Sequence, residues 1–146
     1  MAEETTEQMV VAAPPERCYD VVADFPAYPS WASDIKEVTV EERDDEGRPT
    51  EVTFRAAAFG RSTSYTLAYD YSNAPTELAW VLTRGDLTTH LDGSYRFAPT
   101  GGGTMVTYRL VVELKVPIPG FVKRRAQNRI MTTALRNLQA RVESGD

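Results

Sequence analysis

Apolar and polar residues alternate with a period of two across residues 35–115, more than half of the chain. Short segments rich in Gly, Asp, Asn, Ser and Pro interrupt this alternation, and such segments are typical of turns. They lie at residues 44–47, 59–62, 72–75, 84–86 and 99–103. Links this short join antiparallel neighbours. The pattern therefore predicts an antiparallel meander of about six strands.

The segments outside the meander complete an α+β architecture. Residues 6–13 predict a first strand, and Pro14 and Pro15 begin a short helix that ends near Ala23, because proline is tolerated in a first helical turn. A long helix is predicted from about residue 121 to 143. The prediction is one domain over residues 1–146, with a curved antiparallel sheet of about seven strands wrapped around a long C-terminal helix and two short helices after the first strand.

The connector at residues 24–31 holds three aromatic residues and two prolines in the sequence Asp-Phe-Pro-Ala-Tyr-Pro-Ser-Trp. Two prolines fix φ and remove two backbone donors, which excludes the interior of a long helix or of a central strand. Its aromatic side chains are expected to pack against an apolar surface. The sequence leaves open whether that surface is the core or a pocket.

Strand parity separates an inner from an outer face of the meander. If Gly60 and Arg61 form a two-residue turn, Phe54 lies opposite Leu67, and facing residues share one side of the sheet. The inner face then collects Val52, Phe54, Ala56, Ala58, Tyr65, Leu67, Tyr69 and Tyr71, and further along the chain Leu78, Trp80, Tyr95, Phe97 and Tyr108. The charged residues of the meander fall on the outer face, toward water.

The predicted last helix carries an apolar stripe on one face. At about 100° per residue the stripe consists of Gln127, Met131, Ala134, Leu135, Leu138 and Val142. Arg125, Arg129 and Arg136 lie opposite. Small Ala134 and flexible Met131 in the middle of the stripe leave the room that a helix lining a cavity needs.

Charge is distributed unevenly along the chain. Residues 121–146 carry six Lys or Arg against one Glu and one Asp, whereas the whole chain has a net charge of -5. This basic segment predicts either a surface for an acidic partner or a helix that only complements the acidic body. DNA binding is not expected, because it normally uses a wider basic surface.

The composition, 42% hydrophobic and 25% charged, is typical of a globular domain. No apolar run approaches membrane-spanning length, so we expect no stable membrane insertion. The acidic residues 1–7 lack the pattern of a signal peptide, and the single Cys18 allows no internal disulfide. A cytoplasmic protein is the simplest interpretation.

Residues suited to covalent or proton-transfer chemistry are sparse. His90 is the only histidine, which argues against a zinc site, and parity places it on the outer face. Cys18 is interpreted as a small core residue. We therefore predict no catalytic residue, no metal site and no cofactor, and the inward polar groups that remain are tyrosine hydroxyls.

These residues resemble the START-like (SRPBCC) superfamily, in particular its branch of polyketide cyclases/dehydrases and coenzyme Q-binding proteins. The resemblance spans nearly the whole chain. It is carried by Ala-Pro-Pro-Glu at residues 13–16, by the connector at 24–31, by Gly-Ser-Tyr-Arg-Phe at 93–97 and by Gly-Thr-Met-Val-Thr-Tyr at 103–108. It implies the helix-grip fold, with a deep apolar cavity between sheet and helix.

Three functions follow from this resemblance. The first is binding of a small hydrophobic ligand such as a lipid, quinone or polyketide, for transport, sequestration or sensing. The second is a polyketide aromatase/cyclase or dehydratase, which would need His90, Arg84 or Asp86 inside the cavity. The third is a protein- or ribosome-interaction module using the ridge of Arg125, Arg129 and Arg136. The predicted ligand-binding residues are Trp31, Phe54, Phe59, Tyr65, Tyr69, Trp80, Tyr95, Tyr108, Gln127 and Met131, with Ile118 at the entrance.

Overall fold

The computed structural model describes residues 3–58 and 60–144. The strands are β1 (Glu3–Val11), β2 (Ile35–Arg43), β3 (Pro49–Ala58), β4 (Arg61–Asp70), β5 (Glu77–Gly85), β6 (Thr88–Thr100) and β7 (Gly103–Leu114). The helices are α1 (Pro15–Ala23), a 3₁₀ turn (Phe25–Ala27), α2 (Tyr28–Trp31) and α3 (Gly120–Glu143). All seven strands form one antiparallel sheet in the order β1-β7-β6-β5-β4-β3-β2. This confirms the predicted helix-grip architecture.

The long helix α3 packs against α1 and β1, close to one edge of the sheet. The residues of its predicted stripe are buried except Ala134, which is half-buried. Two hydrogen bonds fix its C-terminal half, since Gln139 Nε2 donates to the Val10 carbonyl and Glu143 accepts from the Ala12 amide at 2.9 Å. Neither α3 nor any other helix in the described part of the chain is long and apolar enough to cross a membrane.

The hairpin between β3 and β4 turns one residue earlier than predicted. Ala58 pairs with Arg61, and Phe54 lies opposite Tyr65 rather than Leu67. Moving a turn by one residue shifts every pairing by two, so the side chains keep their faces. The inner face is therefore as predicted, although the individual partners were wrong.

The proline-rich connector supplies both the core and the site. Phe25 is fully buried and its ring lies 4.4 Å from that of Tyr69 and 6.2 Å from that of Phe54. Tyr28 and Trp31 are only half-buried, with ring centroids 5.0 Å apart. The aromatic residues of the connector thus have different surroundings. Phe25 packs into the core, whereas Tyr28 and Trp31 lie beside a cavity.

Candidate ligand-binding site

A chamber of about 140 Å³ lies between the sheet and α3. Tyr28 and Trp31 of the connector form one side. The strands contribute aromatic and aliphatic side chains, among them Phe54, Tyr65, Leu67, Tyr69, Trp80, Leu91, Tyr95, Tyr108, Leu110 and Val112. The helix contributes Ile130, Thr133, Ala134 and Asn137. The space therefore lies between the three elements that the helix-grip fold brings together.

Aromatic rings in mutual contact give the chamber a stiff wall. Tyr95 and Tyr108 stack with centroids 4.4 Å apart, and the indole of Trp80 lies 5.5 Å from Tyr95. On the other side, Phe54 stacks on Tyr65 at 5.5 Å. Aromatic pairs in this distance range stabilise one another beyond their buried area. The shape of the wall is thus set by ring packing as well as by the strands.

Most of the predicted ligand-binding side chains line this chamber. They are Trp31, Phe54, Tyr65, Tyr69, Trp80, Tyr95 and Tyr108. Phe59 lies outside the described residues. Ile118, predicted at the entrance, lines a neighbouring groove.

Gln127 and Met131 are not among the chamber-lining residues. Both are fully buried, and Gln127 Nε2 donates to the Leu110 carbonyl at 3.1 Å. Apart from Ala134, which lines the chamber, the apolar stripe marks the face of α3 that packs directly on other elements. Because three residues advance a helix by about 300°, the chamber-lining face that includes Ile130 is rotated by about 60° from Gln127. These two predicted residues therefore lie on the packed face of α3 and not on the face that lines the chamber.

Sequence reasoning missed the half-buried residues of this rotated face. Asn137 lines the chamber, and its Oδ1 accepts hydrogen bonds from the Ser33 amide and the Ser33 hydroxyl, each at 3.0 Å. It therefore joins α3 to the segment that follows α2. The recurrence of Ile130, Thr133 and Asn137 at helical spacing is the signal that could have identified this face.

Polar atoms within the chamber are few. The Thr88 hydroxyl is buried and has no hydrogen-bond partner within residues 3–58 and 60–144. Thr63 is buried, and its hydroxyl donates to the carboxylate of Asp86. Tyr65 and Tyr69 form no hydrogen bond with a described residue through their hydroxyls. The hydroxyls of Thr88, Tyr65 and Tyr69 can therefore form hydrogen bonds with oxygen atoms of a ligand, while the rest of the wall is mainly apolar.

Burial keeps the tyrosine hydroxyls of the chamber wall protonated. Loss of hydration raises the pKa of Tyr65, Tyr69, Tyr95 and Tyr108 above the ordinary tyrosine value. These groups are neutral hydrogen-bond donors near pH 7. Asp34 is the single carboxylate among the described residues that line the chamber.

The three residues on which the enzymatic alternative depends lie elsewhere. His90 and Arg84 are exposed and do not line the chamber. Asp86 is also exposed, although its carboxylate accepts bonds from Thr63 and from the Ser64 amide. Its hydrogen bond with Thr63 is thus a contact with a chamber-lining residue, but Asp86 itself does not line the chamber. Across the described chain, no three His, Cys, Asp or Glu side chains are grouped to hold a metal ion.

A wider groove of about 710 Å³ adjoins the chamber. The two spaces share Asp34, Ala57, Ala58, Leu87 and Ile130 as lining residues. The groove continues along the first half of α3 and the segment before it, where its walls include Val116, Ile118, Val122 and Ala126. Its rim carries Arg61, Arg125 and Arg129. The geometry is that of a small apolar chamber with a long, partly basic approach.

Comparison with known proteins agrees with this geometry. Residues 2–143 match the sequence model of a family described as polyketide cyclase/dehydrase and lipid transport. A START superfamily protein of Mycobacterium smegmatis is similar in structure, with 28% identity and a TM-score of 0.91 over 98% of this chain and 99% of that chain. No curated protein matches this chain in sequence.

Two further solved structures share the fold at lower identity. The Zhui aromatase/cyclase of a Streptomyces species is 14% identical, with a TM-score of 0.84 over 98% of this chain and 94% of that chain. A protein of Thermus thermophilus is 23% identical, with a TM-score of 0.80 over 99% of each chain. At these identities the similarity extends to the fold alone.

Proposed function

Because the chain belongs to the polyketide cyclase/dehydrase and lipid transport family of the START-like superfamily, we propose that it binds a small hydrophobic molecule. The site is the chamber between the sheet and α3, and the role is transport, sequestration or sensing. The observation that carries the proposal is the apolar and aromatic lining of that chamber. An apolar pocket with a few polar groups is the usual form of a small-molecule site.

The size of the chamber limits what it can hold. Its volume of about 140 Å³ is near that of an engineered apolar cavity of about 150 Å³ that accepts benzene. A single ring or a short stretch of alkyl chain therefore fits inside, and the rest of a larger ligand extends into the groove. Each CH₂ group removed from water contributes about 0.8 kcal/mol to binding.

The protonation of the lining favours binding over proton-transfer catalysis. General acids and bases work best with a pKa near the working pH, whereas burial raises the pKa of Tyr65, Tyr95 and Tyr108. These hydroxyls, with that of Thr88, are suited to orienting a ligand's oxygen atoms. Ligands with an apolar body and one or two oxygens, such as lipids, quinones or polyketides, match this lining.

Decanol is a suitable first probe, because it is an apolar chain with a single hydroxyl. Trp31 and Trp80 are the chain's two tryptophans and both line the chamber. We expect decanol to change tryptophan fluorescence in a saturable way. Native mass spectrometry of the purified protein checks for apolar molecules that are already bound. The control is protein that native mass spectrometry shows to be ligand-free. If its fluorescence stays unchanged up to the solubility limit of decanol, the proposal is contradicted.

A matched pair of variants tests the location of binding. Ala134→Leu adds a branched side chain to the chamber wall, whereas Ala140→Leu places the same side chain on an exposed position of α3. We expect A134L to weaken decanol binding at least about tenfold, through loss of space for roughly two CH₂ groups. A140L should bind as the unmodified protein does. Equal affinities in the two variants would place the ligand outside the chamber.

A further inference from the structure

Three arginines lie at the rim of the groove that leads to the chamber. Arg125 and Arg129 come from α3, and Arg61 comes from the start of β4. Asp34 is the one carboxylate among the described residues that line this groove. The groove therefore carries three positive charges against one negative charge, although the chain as a whole has a net charge of -5.

The three guanidinium groups have no ion-pair or hydrogen-bond partner within residues 3–58 and 60–144. Elsewhere on the surface, Arg48 lies 2.8 Å from Asp44, Arg96 lies 3.4 Å from Glu77 and Arg109 lies 3.7 Å from Glu4. Within the residues that the structure describes, Arg61, Arg125 and Arg129 form no ion pair or hydrogen bond through their side chains. Their charges are thus available to a bound anion.

We infer that the ligand carries an anionic end group, a carboxylate or a phosphate, which the three rim arginines bind. This inference rests on the proposed function, since the apolar part of the same ligand would occupy the chamber. Guanidinium groups present a planar fork of donors that fits carboxylate and phosphate oxygens. The ligand class is therefore an acidic amphiphile.

The spacing along α3 suits such a molecule. Arg129 precedes Ala134 of the chamber by five residues and Arg125 precedes it by nine. At a helical rise of about 1.5 Å per residue, these separations correspond to about 8 and 14 Å along the axis. An extended decyl chain has a comparable length. Arg125 and Arg129 also lie about 180° and 140° around α3 from Ala134, so the path between them is longer than the axial distance. A molecule with one end at Ala134 and the other at the arginines is therefore of ordinary lipid size.

Three probes with the same chain and different end groups test the inference. They are decanol, decanoate and decyl phosphate, each titrated below its micelle concentration and followed by tryptophan fluorescence. We expect at least one anion to bind about tenfold more tightly than decanol, from two or three partly exposed charge pairs. The preference should shrink with added salt, because exposed charges are screened. The order of the two anions identifies the preferred end group.

Variants that remove either a positive or a negative charge from the groove make the test sharper. Arg129→Gln and Arg125→Gln should each weaken anion binding about two- to fivefold and change decanol binding by less than that. Asp34→Asn should strengthen anion binding about twofold, because it removes the negative charge from the groove. Arg136→Gln is the matched control, since Arg136 is exposed on the same helix and lies outside the groove.

The outcomes separate the two proposals. If decanol and both anions bind equally well, or if the Arg125, Arg129 and Arg136 variants behave alike, the inference is overturned while binding of a hydrophobic ligand stands. If none of the three probes binds to ligand-free protein, the proposed function itself fails. A salt-sensitive preference for an anion that R129Q reduces and R136Q preserves would support the inference.

Discussion

The indole of Trp80 lies against Gly93 on the neighbouring strand. The two residues are paired across β5 and β6, and a Cβ atom on Gly93 would come 2.9 Å from Cζ2 of Trp80. The same Cβ would come 2.3 Å from the carbonyl oxygen of Arg109. The absence of a side chain at Gly93 therefore allows both the strand pairing with β7 and the position of one wall of the chamber.

We predict that Gly93→Ala lowers the free energy of unfolding by about 1–3 kcal/mol, as is typical when a group is forced into a packed region. The carbonyl oxygen of Arg109 belongs to the backbone, so the strand itself has to move. Urea denaturation measures the change, and the fluorescence of Trp80 should shift as well. Gly102→Ala is the control, because nothing lies within 4 Å of a Cβ at that turn. Equal stability of the two variants would show that the strands yield easily at Gly93.

Asp86 provides a test in acid. Its carboxylate accepts hydrogen bonds from the Thr63 hydroxyl and the Ser64 amide, and the bond from Thr63 is the main reason that the Asp86 pKa is lowered. Asp86→Ala should cost about 1 kcal/mol at neutral pH. A lowered pKa stabilises the fold above the unfolded value of about 3.9, and this contribution is lost as the pH falls through the folded value.

The stability difference between the unmodified protein and D86A should therefore shrink as the pH falls below about 4. Denaturant titrations at a series of pH values measure it. Asp45→Ala, at an exposed turn position, serves as the control for removal of a carboxylate. A difference that stays constant into strong acid would mean that the charge of Asp86 does not contribute.

The inner face of the sheet could be predicted because the alternation of apolar and polar residues identifies it even when a turn is misplaced by one residue. The turn between β3 and β4 was placed one residue too late, yet Phe54, Tyr65 and Tyr69 were assigned to the correct face. Side chains alternate with a period of two, and an error of one residue in a two-residue turn moves each partner by two. The inner face is therefore more predictable than the pairing itself.

The helix side of the cavity could not be predicted in the same way. Apolar periodicity identifies the face with the deepest burial, which in α3 includes Met131 and Leu135. A cavity wall is only half-buried and contains mixed residues, as at Thr133 and Asn137. Arg125 and Arg129 were predicted on the side of α3 opposite the stripe and are exposed, but the sequence does not show that the groove reaches them.

The tyrosines provide a test in alkali. Burial raises the pKa of all seven, Tyr19, Tyr28, Tyr65, Tyr69, Tyr71, Tyr95 and Tyr108. Above the unfolded value of about 10 the unfolded chain loses protons that the folded chain keeps, so the free energy of unfolding falls as the pH rises. Ultraviolet absorbance should show tyrosinate appearing together with loss of the fold. Ionisation of most tyrosines near pH 10 in protein that circular dichroism shows to be folded would contradict the buried arrangement.

Gln127 distinguishes a structural residue from a ligand-binding one. Its Nε2 donates to the Leu110 carbonyl, whereas its Oε1 is buried with no hydrogen-bond partner in the described chain. Gln127→Met keeps the approximate shape and removes the unpaired oxygen, and a buried unpaired polar group costs about 1–3 kcal/mol. Since one hydrogen bond is lost as well, we expect the stability to change by less than about 1 kcal/mol, with binding of decanol unchanged. Clear loss of decanol binding in correctly folded Q127M would mean that Gln127 reaches the ligand after all, and that α3 rotates toward the chamber when it is occupied.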